Sequence, residues 1–336
     1  MIISKTPFRM SFFGGGSDVE DFFREHGGSV ISTTFNKYCF VTVRKLPGFF
    51  DYKSHLTYSK SEFVSSLDEI RHPAIRNAMK MLDISSIRLT YDADLPARSG
   101  LGTSSSFAVG MLNAFYALNG IKADKKLLAE KAIYLERVLC EEAGGWQDQI
   151  AAAYGGFNKI VFSDMGFEVT PVPVSPFRKR LLSENLMLFF TGFTRFSADV
   201  HTSNGSLNRE KIRVLERILA LCGDAEKVLV DEDADLDEFG QLLDEEWKLK
   251  RMTGSNVSTD AVDDLYRRGI SAGALGGKLL GAGGGGFLLF YVTPEKQSAV
   301  REALKDLLYV PFSFEDNGSC IIFNSDDSES EKEIVP

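Results

Sequence analysis

The sequence predicts an α+β protein built as two lobes. The chain has 336 residues, and at roughly 100–200 residues per domain that length favours two units over one. Apolar residues make up 44% of it and aromatic residues 11%, enough for a large core. Strand-like alternation and helical spacing also trade places along the whole chain.

Residues 1–45 read as extended segments around one short helix. IISKTPFRMSF and VISTTFNKYCFVTVRK are rich in β-branched and aromatic residues, while DVEDFFREHGG between them reads as a helix stopped by Gly27-Gly28. IRLTYDADLP (87–96) is a strand with Ile87, Leu89 and Tyr91 alternating. The loop ARSGLGTSSS follows, with Thr103 or Ser104 as N-cap of the apolar helix FAVGMLNAFYAL. Leu128, Ala132, Leu135 and Leu139 predict an amphipathic helix over 124–142, ended by Gly144-Gly145, and a further helix runs from Trp146 to Gly155-Gly156. Strands are expected near 157–163, 167–173 and 186–192, and helices near 208–229, 235–252 and 258–272. The division that results is an N-terminal lobe over 1–180, a C-terminal lobe over 181–323 and an acidic, disordered tail over 324–336.

Charge and composition exclude several classes. The net charge is −9, and the tail NSDDSESEKEIVP contributes five acids against one lysine. The body is mildly acidic, with no basic stripe for DNA or RNA. No apolar run approaches the ~18 residues that span a bilayer, and Lys5, Pro7 and Arg9 interrupt any export signal. Cys39, Cys140, Cys222 and Cys320 are isolated, reading as thiols of a reducing cytoplasm, and none of the four histidines is paired at metal-ligand spacing.

Three glycine-rich loops carry the chemistry. The loop at 96–106 lacks the lysine of a Walker A motif, since Thr103 follows Gly102, and Ser105 stands where a dinucleotide fingerprint needs its third glycine. A strand, a glycine turn and a helix with four hydroxyls, Thr103 to Ser106, remain: a cradle for a nucleotide triphosphate and its Mg²⁺, or simply a capped turn. GAGGGG at 281–286 matches G-x-G-x-x-G but leads into the strand-like FLLFYV, so it reads as backbone brought close to something else, or as a hairpin. GGGSD at 14–18 ends in Asp18, a substrate contact or a helix cap. Arg9 in its strand and Asp148 in a first helical turn are each ambiguous alone.

In this order the three loops resemble the signatures of the GHMP kinases, which include galactokinase, homoserine kinase and mevalonate kinase. Pro96-Ala-Arg-Ser-Gly100-Leu101-Gly102-Thr103-Ser104 follows the central P-x-x-x-G-L-G-S-S, Gly281–Gly286 follows G-A-G-x-G-G, and Pro7-Phe8-Arg9 with Gly14–Asp18 stands for the first signature. The resemblance implies the family's architecture, an N-terminal lobe related to the ribosomal protein S5 domain 2-like fold and a ferredoxin-like C-terminal lobe. It implies an ATP- and Mg²⁺-dependent kinase of a small sugar or sugar phosphate. Pro96, Ser99, Gly100, Leu101, Gly102, Thr103, Ser104 and Ser105 would hold the nucleotide phosphates, with Ser104 reaching Mg²⁺. Asp148 would face the acceptor hydroxyl and Arg9 would pair with it; a fixed cation favours the ionised carboxylate that takes the proton.

Two departures from the family pattern shape the rest of the reading. The family's metal-binding glutamate lies eleven residues before the aspartate, where this chain has Arg137; Glu136 with a one-residue insertion is the first choice and Glu141 the fallback. Galactokinases carry Glu-His where Gly15-Gly16 stand, which enlarges the pocket beside Asp18. With TGFTRFSADVH (191–201) and KLLGAGGGGF, the pattern looks most like the branch acting on the anomeric hydroxyl of D-glycero-D-manno-heptose 7-phosphate, with fucokinase- and galactokinase-like enzymes as the alternative. Gly15, Gly16, Asp18, Arg195, Gly283 and Gly284 are the substrate candidates, Arg195 for a substrate phosphate and Lys278 as a weaker choice. Rivals of other classes are a nicotinamide oxidoreductase and a catalytically dead nucleotide-binding module.

Overall fold

The computed structural model describes residues 1–192 and 207–325. Two long strands, β1 (Ile2–Phe13) and β2 (Gly28–Lys45), flank the short helix α1 (Glu20–His26). A hairpin of β3 (Ser54–Thr57) and β4 (Ser61–Val64), then helix α2 (Pro73–Met81), precede β5 (Ile87–Ala93). Helices α3 (Thr103–Leu118), α4 (Lys125–Ile133) and α5 (Gln147–Tyr154) follow, with a π-helical turn at Tyr134–Leu139, and then hairpin β6 (Phe157–Ser163) and β7 (Gly166–Pro171) and helix α6 (Pro176–Asn185). The rest contains β8 (Leu186–Phe190), α7 (Arg209–Val230), α8 (Asp237–Arg251), α9 (Asp260–Ser271), β9 (Gly276–Leu279), β10 (Phe287–Tyr291), α10 (Pro294–Ala303), β11 (Leu308–Tyr309), β12 (Phe314–Glu315) and β13 (Cys320–Asn324).

These strands make two sheets. The first has nine strands, with main order β13-β1-β2-β5-β3-β4, β6 and β12 on β2, and β7 on β6. Its pairs are antiparallel except β3 with β5. The length of β2 explains how it takes so many partners: residues 28–33 pair with β6 and residues 39–45 with β5. The β1–β2 register slips at Pro7/Phe8, where proline has no N–H to give the ladder. The second sheet runs β11-β8-β10-β9, all antiparallel.

Alternation along the strands assigns the cores. Phe8, Met10 and Phe12 of β1 pack with Leu221 and Ala225 of α7, Phe239 and Leu243 of α8, and Leu188 and Leu289 of the second sheet, forming the seam between the sheets. Val41, Val43 and Leu89 face Phe107, Met111 and Phe115 of α3. Phe189, Leu288 and Phe290 face Trp247 of α8, Val262 of α9 and Val300 of α10. Arg9 lies between the seam residues Phe8 and Met10 and so points to the opposite face of β1, toward α3 and α5.

Three expectations change. The amphipathic pattern over 124–142 does not run as one α-helix, because the chain widens into the π turn at Tyr134–Leu139. The 181–323 division fails at its end, since β12 pairs with β2 and β13 with β1: strand pairing, not chain order, closes the first sheet. Of the tail, Asn324 ends β13 and Ser325 hydrogen-bonds the chain's first residue, while 326–336 lie outside the described residues. No described helix is long and apolar enough to cross a membrane.

Candidate active site

The loop between β5 and α3 turns through left-handed backbone at Arg98 (φ 61°), Gly100 (81°) and Gly102 (71°). Gly102, rather than Thr103 or Ser104, is the N-cap of α3, and no side chain caps the helix. The first-turn N–H groups therefore have no side-chain acceptor and stand ready for an anion. The four hydroxyls divide their work. Thr103 Oγ1 accepts from the Arg98 N–H at 3.2 Å, Ser105 Oγ donates to Glu136 Oε2 at 2.7 Å and Ser106 Oγ to the Pro7 carbonyl at 2.9 Å. Ser104 is exposed at the helix start. Ser99 Oγ is buried without a hydrogen-bond partner among the described residues, a hydroxyl free to bond a ligand oxygen. Pro96 leads into the loop, and the Leu101 side chain is part of the seam core, so only its backbone lines the cradle.

Arg9 and Asp148 meet beside this loop. Arg9 Nε donates to Asp148 Oδ1 and Nη2 to Oδ2, both at 2.8 Å, a bidentate pair with Arg9 almost fully buried and Asp148 26% exposed. Nη1 donates to the Gly100 carbonyl at 2.7 Å, and the Arg9 N–H to the Leu101 carbonyl at 3.2 Å. The guanidinium thus ties the aspartate to the loop before α3 and leaves part of the carboxylate exposed. A sensor of nucleotide would have no need for such a pair, which argues against the dead-module reading.

The glycine loop 281–286 is backbone against backbone. A Cβ on Gly100 would stand 2.3 Å from the Leu280 carbonyl oxygen, and one on Gly281 would stand 2.3 Å from Gly100 Cα. Glycine is required there because no side chain fits between the two loops. The loop joins β9 to β10, so its last glycine opens a strand and the nicotinamide reading fails. Gly284 N–H donates to the Val257 carbonyl at 3.0 Å, and Gly283 packs on the same residue, so the described contacts of these two substrate candidates are to α8–α9 backbone.

Glu136 owes its place to the π turn. Such a turn inserts one residue into a helix, and the backbone bond from Cys140 N–H to the Leu135 carbonyl at 2.9 Å is its signature. The carboxylate is 1% exposed and is held by Ser105, Gln149 and, at 3.7 Å, Arg137. Burial pushes its pKa up. Its described hydroxyl partner is Ser105, not Ser104, and Glu141 sits exposed in the following turn at φ 53°.

Asp18 fastens the first glycine turn to α5. Its Oδ1 accepts from Gly16 N–H at 3.0 Å, Oδ2 from Gln147 N–H at 3.3 Å, and its carbonyl from Trp146 N–H at 3.1 Å. A Cβ on Gly145 would collide with Oδ2 at 1.9 Å, so the second glycine of GGWQDQ is what lets the two segments touch. Asp18 is 3% exposed and caps α5 rather than lying open to a sugar. Lys278 is no phosphate ligand: buried at 1% exposed, it donates to Glu246 Oε1 at 2.9 Å and to the Phe12 carbonyl at 2.7 Å. Arg195 lies outside the described residues. The sequence reading missed Lys250, which lies against Gly15 and Gly281, because a lysine in the last turn of an amphipathic helix has the pattern of a solvent cation.

Sequence models of the GHMP kinases N terminal domain and of the GHMP kinases C terminal match residues 70–156 and 225–310. The D-glycero-alpha-D-manno-heptose 7-phosphate kinase of Campylobacter jejuni is 32% identical over 94% of this chain and 97% of its own length. The chain belongs to the GHMP kinases. It is an enzyme, a phosphotransferase of an ATP-using family acting on sugar hydroxyls. Among solved GHMP kinase structures, that of a D-glycero-D-manno-heptose 1-phosphate kinase from Bacteriodes thetaiotaomicron superposes with a TM-score of 0.79 at 26% identity, covering 97% of this chain and all of the other. The L-fucokinase/L-fucose-1-P guanylyltransferase of Bacteroides fragilis is 30% identical over 72% of this chain but 26% of its own length. The GHMP fold, two lobes of mixed α and β structure, is as expected from the motifs.

Proposed function

We propose that this kinase transfers the γ-phosphoryl group of Mg²⁺-bound ATP to the anomeric hydroxyl of D-glycero-D-manno-heptose 7-phosphate, giving the 1,7-bisphosphate, in the cytoplasm. The bidentate Arg9–Asp148 pair at the mouth of the phosphate loop carries the reading of the chemistry. The phosphorylated heptose rests on two relatives, one a heptose 7-phosphate kinase and the other a heptose 1-phosphate kinase, and on the bare Gly15-Gly16 turn.

Asp148 accepts the proton of the attacking hydroxyl through the edge that Arg9 leaves open. Arg9, fixed by four hydrogen bonds, orients the carboxylate and supplies positive charge near the transferring group, so positioning and electrostatics do most of the catalysis. The uncapped start of α3 and the orphaned Ser99 hydroxyl fit the nucleotide phosphates. An exposed hydroxyl at Ser104 and the buried carboxylate of Glu136 are the hard oxygen donors that Mg²⁺ prefers, and a nearby cation would offset the burial of Glu136. When bound, the metal would neutralise charge on the phosphates. Ser104→Ala and Glu136→Gln are each expected to raise the Mg²⁺ concentration needed for half-maximal rate by about tenfold, on the order of one charge-assisted contact, with sugar binding unchanged. Mg²⁺ titrations unaltered in both variants would move the metal elsewhere.

Incubating the enzyme with ATP, Mg²⁺ and a panel of sugars and sugar phosphates, with products identified by phosphorus NMR, tests the substrate. The heptose 7-phosphate is expected to exceed free heptose, galactose and fucose in kcat/KM by roughly 10²-fold, the scale of one or two charge-assisted hydrogen bonds to its phosphate. Arg195, proposed from sequence as a cation for that phosphate, should on replacement by Ala raise KM for the sugar phosphate and not for ATP. Equal kcat/KM for phosphorylated and free sugars would favour a fucokinase- or galactokinase-like enzyme.

A further inference from the structure

Helix α8 ends against two of the glycine loops, and its last-turn Lys250 turns inward. The side chain is half-buried, and Nζ donates to the Gly281 carbonyl at 2.5 Å. Nζ also lies 3.9 Å from the point where a Cβ on Gly15 would stand, and Gln147 Nε2 lies 4.0 Å from that same point. Gln147 immediately precedes Asp148, and its Oε1 is buried without a hydrogen-bond partner among the described residues. A bare stretch of backbone beside the catalytic pair is therefore flanked by an ammonium and by an unsatisfied carboxamide.

Among the described residues, the charges around Lys250 leave it without a counter-ion. Glu246 and Asp18 attract it, while Lys278 and Arg9 repel it. Glu246 is bonded to Lys278, Asp148 to Arg9, and Asp18 to backbone N–H groups. Among the described residues the hydrogen bond of Lys250 goes to a neutral carbonyl, and an ammonium has three donors. Burial, reinforced by Lys278, pushes the amine down to about 7. A cation so placed gains most from an anion that arrives with the ligand.

We propose that Lys250 receives a phosphate group at the Gly15 face of the site, with the Gln147 carboxamide bonding a hydroxyl beside it, so that the two together recognise a phosphorylated polyol. The proposal rests on the sugar-kinase reading and adds a residue to it. The phosphate has two possible sources, the acceptor's own phosphate or the phosphoryl group in transfer.

Proton linkage makes the proposal testable without turnover. A bound dianion raises the amine's pKa, so below about pH 7 the site binds the anion with Lys250 already charged, and above it binding must take up a proton. Affinity therefore falls as pH rises through 7. Sulfate is a phosphate-shaped dianion that does not titrate in this window, so it isolates the lysine. Calorimetric titration of the full chain with sulfate at pH 6 and pH 8.5, at constant ionic strength, is expected to show a loss of about tenfold or more in the wild type. Lys250→Arg, charged at both values, should bind without that loss, and Lys250→Met should lose the tight binding at pH 6. Wild-type sulfate behaviour in Lys250→Met would overturn the proposal.

Steady-state kinetics separate the two sources. A rise in KM for phosphorylated acceptors alone, with KM for ATP unchanged in Lys250→Met, assigns the acceptor's phosphate. A lower kcat with every acceptor, at unchanged KM, assigns the group in transfer. Kinetics within twofold of wild type for all acceptors would contradict both. If no sugar phosphate in the panel is turned over, the heptose reading fails while the sulfate titration still decides the role of Lys250.

Discussion

Asp148→Asn is expected to lower kcat by about 10²–10⁴ while leaving ATP affinity within a few-fold of wild type, the usual scale for losing a positioned general base. The substitution conserves shape and removes the proton acceptor. It also places an amide N–H₂ where one carboxylate oxygen now accepts from Arg9, so one of the two 2.8 Å bonds must break. Arg9 keeps its bond to the Gly100 carbonyl, and the phosphate loop should therefore hold its shape. Calorimetric ATP binding measured beside initial rates checks both halves. A kcat loss below tenfold would leave Asp148 an orienting group, with catalysis resting on Arg9 and the loop.

Lys278→Met should destabilise the protein by about 3–5 kcal/mol, because it strands the Glu246 carboxylate in a site that water does not reach. Lys278 is 1% exposed and Glu246 0%. The damage should extend to function. Glu246 Oε2 is also the acceptor, at 3.5 Å, for the N–H of Gly14, and Lys278 holds the Phe12 carbonyl at 2.7 Å, so the pair clamps the end of β1 and the first glycine turn to the second lobe. Replacing both partners, Lys278→Met with Glu246→Leu, should recover most of the stability, since an apolar pair carries no stranded charge. Thermal unfolding of the single and double variants distinguishes the outcomes: equal losses in both would mean that the stranded Glu246 charge is not the source of the cost.

The meeting of Arg9 with Asp148 was legible because the two sit in Pro7-Phe8-Arg9 and GGWQDQ, whose resemblance to the family motifs implied that they pair. The glycine turn that opens α3 was legible for the same reason. Gly281–Gly286 was half legible: its glycine density predicted a close approach, but only the fold shows that Gly100 is what it approaches. The one-residue insertion expected before Asp148 takes the form of a π turn, which carries Glu136 into the interior. The division of hydroxyls among Ser104, Ser105 and Ser106 was not readable, since neighbouring helical residues point about 100° apart and the packing of α3 on β1 decides which faces what. Asp18, Lys250 and Gln147 were misread or missed for a common reason. Each acts across contacts between distant segments, and local patterning describes only the segment itself. The strands β12 and β13 escaped because FE and CIIFN are too short to show a period.

The pairing of β13 with β1 also bears on how the enzyme is made. Strand β1, which carries Arg9, leaves the ribosome long before residues 320–324, its neighbour on one edge. Until those residues emerge, that edge presents unpaired N–H and C=O groups, the kind of surface on which nascent chains join one another. The first lobe therefore cannot mature as an independent unit during synthesis, and a chain halted after residue 310 would contain both family-matched regions and still lack the strand that covers the edge of β1. Nascent-chain proteolysis should show protection of β1 appearing when residues 320–324 emerge, rather than when the first lobe's helices do.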